Sequence, residues 1–68
     1  MDVQFHNHGS IWLAEPLSAA AQEWLDEHID ANSAQYWGTM LVIEPRYIAN
    51  IAGGMREAGL HIAGPDRL

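Results

Sequence analysis

The second half of the chain carries the pattern that most constrains its fold. Residues 39–44 read TMLVIE, which is apolar on both alternating sets and so predicts a central strand covered on both faces. Pro45 suits the first position of a helix, and the apolar periodicity continues to about residue 58. A last short strand is expected at 60–63. Strand, helix and strand form a βαβ unit, which predicts parallel strands with a right-handed crossover.

The end of this second helix has a signal of its own. Gly59 fits the left-handed position after the helix, and Leu60 is then placed to contact Met55, as in a Schellman ending. Gly53 and Gly54 lie inside the helix and cost roughly 2 kcal/mol relative to alanine. Close approach of another element would explain the two glycines, as would a hinge or the backbone of a partner.

The first half is predicted to supply a hairpin and a helix. Residues 3–5 and 10–14 alternate weakly and are rich in β-formers, with a polar turn between them. Pro16 closes the second strand, and Ser18 is a plausible N-cap for a helix that runs to about residue 29.

These elements predict an α+β fold in the order ββαβαβ. We expect a mixed sheet of three to four strands with both helices packed on one face. The 68 residues form a single domain, 1–68, with a flexible tail at 64–68. The chain has no cysteine, so neither a disulfide nor a thiolate metal site can reinforce it.

The charge distribution restricts the partners. The first 45 residues contain seven carboxylates and no Lys or Arg, and the net charge is −6. Such a charge opposes direct binding to nucleic acid or to an anionic membrane, because both need cations for phosphate. It favours a basic partner, or it serves solubility alone. No signal peptide and no apolar run long enough for a membrane span are visible, so a cytoplasmic location is expected.

Four of the carboxylates, Glu23, Asp26, Glu27 and Asp30, fall on one stripe of the first helix, opposite its apolar face. At spacings of three and four residues they form four like-charge pairs, each costing about 0.2–0.5 kcal/mol, and no Lys or Arg offsets them. Two interpretations stay open: an anionic ridge that docks on a cationic surface, or a solvated face. Glu15 and Glu44 are candidate additions to the ridge.

A second candidate interface is the sheet face away from the helices. Trp12 alternates out of phase with Ile11 and Leu13. If the helices cover the Leu13 side, the opposite side carries an apolar patch typical of self-association or partner binding. The residues expected there are Trp12, Met40, Val42 and His61. Alternatively, Tyr36 and Trp37 fold over this patch; they are themselves candidate interface residues.

The histidines offer a weaker metal hypothesis. His6 and His8 form an H-x-H pair, whose rings point the same way in a strand, and His61 could complete a site if the first and last strands are neighbours. Polar surface histidines are the alternative. His28, on the apolar stripe of the first helix, is expected to have a packing role. No nucleophile elbow, phosphate loop or H-E-x-x-H motif is present, so no catalytic residue and no cofactor is predicted.

The pattern NHGSIWLAEPLS-x-A-A-x-x-W-L, followed by YWG-x-M-L-V-I-E-P-R-Y-I-A-x-I, resembles a group of short uncharacterised proteins of proteobacterial prophages and mobile elements. The resemblance spans residues 6 to about 60. It implies a small accessory protein made inside a bacterium, with no catalytic motif to transfer. Small acidic phage proteins include anti-CRISPR proteins, some of which imitate DNA.

The leading hypothesis is a non-enzymatic interaction protein that inhibits a bacterial nucleic-acid-binding complex. Its anionic helix face would bind a basic surface of a host protein or protein–nucleic-acid complex. One alternative is a structural or regulatory module that self-associates, as a homodimer would, through the sheet face around Trp12. Another is a small metal-binding protein that uses histidines.

Overall fold

A β-hairpin opens the fold. In the computed structural model, which describes residues 1–30, 32 and 34–64, β1 (Val3–Asn7) pairs antiparallel with β2 (Trp12–Pro16). The connecting turn uses Gly9 at φ +79°, and the Gly9 N–H donates to Asn7 Oδ1 at 2.9 Å. The hairpin is therefore confirmed, although both strands end two residues later than their patterns predict.

Helix α1 (Ala19–His28) begins as expected. The Oγ of the N-cap residue Ser18 accepts a hydrogen bond from the Ala21 N–H at 3.1 Å. The helix ends at His28 because Ile29 adopts an extended conformation (φ −110°, ψ 125°). Asp30, which the periodicity places on the helix, consequently lies outside it.

The second half contains β3 (Tyr36–Trp37), β4 (Met40–Ile43), α2 (Pro45–Glu57) and β5 (Ile62–Ala63). The predicted order ββαβαβ is confirmed, with β3 as an added strand. The sheet consequently has five strands rather than three to four, in the order β3-β4-β2-β1-β5. β4 and β5 run in the same direction, as a βαβ unit requires, but β2 and β1 lie between them.

The end of α2 is a Schellman motif, as its sequence predicts. Gly59 has φ +86°, the Leu60 N–H donates to the Met55 carbonyl at 3.0 Å, and the Gly59 N–H donates to the Arg56 carbonyl at 3.0 Å. Leu60 also packs against the core to which Met55 belongs. These bonds satisfy carbonyls that the end of the helix would otherwise leave unpaired.

Both helices pack on one face of the sheet, as expected. The core consists of side chains from that face together with the inner faces of the helices. Its members from the sheet are Val3, Phe5, Trp12, Ala14, Leu41 and Ile43. Its members from the helices are Ala21, Trp24, Leu25, Ile48, Ala52 and Met55.

The predicted orientation of β2 is wrong. Trp12 lies opposite Ile43 and faces the helices, where it is 8% exposed, so it forms no part of an open interface. Leu13 points to the other face instead, opposite His6 and Val42. Since both residues are apolar, alternation alone did not determine which of them faces the helices, and a shift of one residue reverses every side chain of the strand.

The helix-free face is partly covered by its own side chains. Leu13 is only 1% exposed although no helix packs on its side. Trp37 shares this face through its pairing with Met40, and its ring meets the His8 ring edge-on at a centroid distance of 6.1 Å. His8 follows β1 whereas Trp37 belongs to the opposite edge strand, so the contact spans the strands between them. Trp37 remains 54% exposed and Tyr36, which points to the helix side, 42%.

Close helix–helix approach explains one of the two glycines in α2. A Cβ on Gly54 would lie 3.0 Å from Cζ2 of Trp24 on α1, whereas a Cβ on Gly53 would meet nothing within 4 Å. Of the tail expected at 64–68, only Gly64 belongs to the described residues.

Candidate functional site

The outward side of α1 carries three exposed carboxylates, Glu23, Asp26 and Glu27, which we call the α1 acidic face. The inward side of the same helix buries Ala21, Trp24 and Leu25. The segregation predicted from periodicity is therefore present. It holds the three carboxylates on a helix that the core fixes in place.

The α1 acidic face has few partners within the described part of the chain. The amide of Gln22 donates to Asp26 Oδ1 at 3.2 Å, so this contact brings no positive charge to the face. The two ion pairs among the described residues involve other carboxylates, Glu15 and Glu44. Glu23 and Glu27 make neither a hydrogen bond nor an ion pair with any described residue.

Asp30 is a correction to the predicted stripe. It follows the helix by two residues, and its Oδ1 accepts the Asn32 N–H at 2.9 Å in a local turn. Like-charge pairing within the helix therefore involves only Glu23–Asp26 and Glu23–Glu27. At about 0.2–0.5 kcal/mol for each pair, the repulsion is roughly 0.4–1 kcal/mol, about half of what the four-pair pattern implies. Asp26 and Glu27 still occupy the last turn, where the helix dipole disfavours anions.

Glu15 and Glu44 lie away from the α1 acidic face. Glu15 belongs to β2, and its pairing with Gln4 places it on the helix-free side of the sheet. Its Oε1 lies 3.1 Å from His6 Nε2. Glu44 directly precedes α2 and its Oε2 accepts from Arg46 Nε at 3.0 Å. The six carboxylates proposed from the sequence therefore do not form one surface.

A surface pocket of about 270 Å³ lies between the end of α1, β4 and the start of α2. Its apolar lining consists of Ile29, Ala34, Leu41, Ile43 and Ile51, with Val42 at one side. Its polar lining consists of His28, Asp30, Glu44 and Tyr47. Sequence reasoning missed this pocket because its residues come from four separate segments that only the tertiary structure brings together.

His28 stands at the rim of this pocket with its ring fixed. The ring stacks on Trp24 at a centroid distance of 4.4 Å and an interplanar angle of 15°. Its Nδ1 donates to the Trp24 carbonyl at 2.9 Å, since a carbonyl oxygen can only accept. In the neutral ring, Nε2 is consequently left as an acceptor. The expected packing role is present, although the residue itself is exposed.

Asp2 has a structural role that the sequence did not reveal. Its Oδ2 accepts the His61 N–H at 2.7 Å and its Oδ1 accepts the Ser18 hydroxyl at 2.7 Å. The carboxylate thus ties the approach to β5 to the N-cap of α1. These two bonds, that from the His61 N–H above all, hold the pKa of the Asp2 carboxyl below its usual value.

The histidines of the metal hypothesis are held in different environments. β1 and β5 are neighbours, as that hypothesis requires, but His6 pairs with Glu15 while His8 contacts Trp37. Among residues 1–30, 32 and 34–64, no three His, Asp or Glu side chains are grouped so that they could hold a metal ion.

Neither helix, in the part of the chain that the structure describes, has the length and apolar character needed to cross a membrane. Comparison of the chain with protein-family models, with curated proteins and with solved structures gives no match.

Proposed function

We propose that this protein is a small, non-enzymatic inhibitor that binds a basic surface of a bacterial nucleic-acid-binding protein or complex through its α1 acidic face. The single observation that carries the proposal is the state of Glu23 and Glu27. Both are exposed on a helix anchored in the core, and both lack any partner among the described residues. A surface helix serving stability alone would interleave cations on this face.

The proposed mechanism is competition for cations. A nucleic-acid-binding protein neutralises phosphates with Lys and Arg, so its groove attracts a protein of net charge −6. The carboxylates of the α1 acidic face would occupy these cations and exclude the nucleic acid. In biological terms, the protein would bind its target in the cytoplasm of a bacterial host, as a DNA-mimicking anti-CRISPR protein does.

The test compares two double variants with the same change in net charge. Glu23→Lys with Glu27→Lys reverses the α1 acidic face, whereas Glu15→Lys with Glu57→Lys reverses two carboxylates elsewhere. The fold should tolerate the first pair, because cations near the end of α1 suit the helix dipole and a lysine at 23 can pair with Asp26.

The tagged proteins are used to capture a partner from bacterial lysate at low and high salt. The captured partner is then assayed for nucleic-acid binding with and without each protein. We expect wild type to inhibit, with an affinity that falls steeply with salt, and the Glu23/Glu27 variant to lose inhibition while the control keeps most of it. Equal loss of inhibition in both variants would show that net charge alone, and not the α1 acidic face, is responsible. Unchanged inhibition by the Glu23/Glu27 variant would refute the proposal.

A second candidate, self-association through the helix-free face, is favoured by the half-exposed Trp37 on that face. The contact would centre on Trp37, since Trp12 is buried in the core. Sedimentation of wild type should then show a dimer that Trp37→Ser removes and that Leu17→Ser, a change at a similarly exposed apolar residue, leaves intact. A wild-type monomer at high concentration would eliminate this candidate.

A further inference from the structure

The pocket beside the α1 acidic face favours a cation. Two carboxylates, Asp30 and Glu44, stand at its polar rim, and the one arginine near them, Arg46, pairs with Glu44 from outside the lining. The end of α1 and the start of α2 also meet there. Their dipoles amount to about half a unit charge each and have opposite signs, so they largely cancel. The carboxylates consequently determine the sign of the ligand.

The aromatic groups at the rim suit a planar cation. Tyr47 is 47% exposed and offers a ring face, and the His28 ring, whose Nδ1 donates to a backbone carbonyl, directs Nε2 away from that bond. The floor beneath them is apolar, with Leu41, Ile43 and Ile51. A ligand that fits has an apolar stem and a flat, charged head with several N–H donors, which is the description of an arginine side chain.

The chain's own Arg46 already shows this chemistry at the rim. Its guanidinium lies 4.8 Å from the centre of the Tyr47 ring, and its Nε donates to Glu44. The Arg46 and Glu44 side chains are 71% and 61% exposed, so their pair is strongly solvated and contributes little. A guanidinium from another molecule could therefore replace that of Arg46 at small cost.

The size of the pocket is sufficient for a single long side chain. Pockets for drug-sized ligands span about 300–1,000 Å³, and this one has a volume of about 270 Å³. We infer that it receives one arginine side chain of the basic partner, held by Glu44 and the ring of Tyr47 above the apolar floor. This inference rests on the proposed function for its partner, but the pocket can be tested on the isolated protein.

The first experiment titrates the isotope-labelled protein with arginine blocked at both termini and follows the amide signals of residues lining the pocket. Blocked citrulline, which keeps the shape and lacks the charge, is the matched control, and blocked lysine tests the need for a planar head. We expect millimolar binding of blocked arginine, at least fivefold weaker binding of blocked lysine, and no saturable shift with citrulline. Equal titrations with arginine and citrulline would overturn the inference.

Variants then locate the site. Ala34→Leu should fill the pocket and weaken blocked-arginine binding at least fivefold, whereas Ala49→Leu, at an exposed position outside the pocket, should not. Glu44→Gln makes the same test without adding volume, and it is safe for the fold because Glu44 forms no side-chain cap. Arg46→Ala removes the internal competitor and should strengthen binding two- to threefold. Binding that none of these changes affects would place the ligand elsewhere.

The two proposals fail separately. Suppose that Ala34→Leu and Glu44→Gln abolish blocked-arginine binding while reversal of Glu23 and Glu27 leaves inhibition intact. The arginine pocket is then supported and the role of the α1 acidic face is refuted. If that reversal abolishes inhibition while blocked arginine does not bind, the proposed function is supported and the arginine pocket is refuted.

Discussion

The paired glycines of α2 provide a test in which two neighbouring substitutions should act in opposite directions. Gly53→Ala removes the helix penalty of glycine, about 0.8–1 kcal/mol, and the added methyl group meets nothing within 4 Å. In a domain of this size 1 kcal/mol corresponds to about 4–8 °C. We therefore expect the melting temperature of Gly53→Ala to rise by several degrees.

Gly54→Ala gains the same helix propensity, but its methyl group would be too close to a side chain of α1. Its Cβ would lie 3.0 Å from Cζ2 and 3.6 Å from Cη2 of Trp24. That indole cannot easily move away, because it is 9% exposed and stacked on the ring of His28. Overpacking of this kind costs about 1–3 kcal/mol. Gly54→Ala should consequently be less stable than Gly53→Ala by about that amount, and neutral to destabilised relative to wild type.

Urea unfolding followed by far-ultraviolet circular dichroism measures both variants without relying on tryptophan fluorescence. Trp24→Phe serves as a second background, because phenylalanine lacks the outer ring atoms that Gly54→Ala would contact. In that background Gly54→Ala should become stabilising, which a double-mutant cycle would report as a coupling free energy. If both alanine variants stabilise wild type equally, close approach of Trp24 does not explain Gly54.

Two further predictions concern residues whose roles the sequence did not reveal. Because its folded-state pKa is depressed, the Asp2 carboxyl contributes stability above its unfolded pKa of about 3.9, and this contribution is lost as the pH falls through the folded-state value. Asp2→Asn should therefore flatten the loss of stability below about pH 4, measured as urea midpoints from pH 6 to 2; an unchanged acid slope would contradict the role assigned to the His61 and Ser18 bonds. Trp12→Ala should cost about 3–5 kcal/mol, measured by thermal unfolding, and a loss below 1 kcal/mol would contradict its place in the core.

Local signals in the sequence were sufficient for the helix termini. The Ser18 cap, the first helical position of Pro45 and the Gly59–Leu60 ending all depend on residues within about one turn, and all are confirmed. The end of α1 is the exception. The predicted acidic stripe extended past the expected helix end near residue 29 to Asp30, although Asp30 and Asn32 are residue types that favour turns.

Features that depend on distant residues could not be predicted. The Asp2–His61 bond joins positions 59 residues apart, and no local pattern identifies it. The orientation of β2 depends on its register with β4, since Trp12 and Leu13 are both apolar and both end up buried. The two parts of the candidate site differ in the same way in how far the sequence predicts them. Helical periodicity located the α1 acidic face, whereas the pocket required the tertiary fold.

Under the proposed function, the internal contacts of the carboxylates, rather than their number, determine which of them would bind a partner's cation strongly. Asp2 is held by two short bonds and Glu15 lies beside the His6 ring, so an incoming cation must compete with contacts that already exist, whereas the solvated pair of Glu44 and Arg46 would yield at small cost. Glu23 and Glu27 have no such contact, and they also repel each other. A partner's cation at this pair would gain a charge-assisted contact and relieve the repulsion together. Reversal of these two residues should consequently weaken binding more than reversal of Glu15 and Glu57, although both variants have the same net charge.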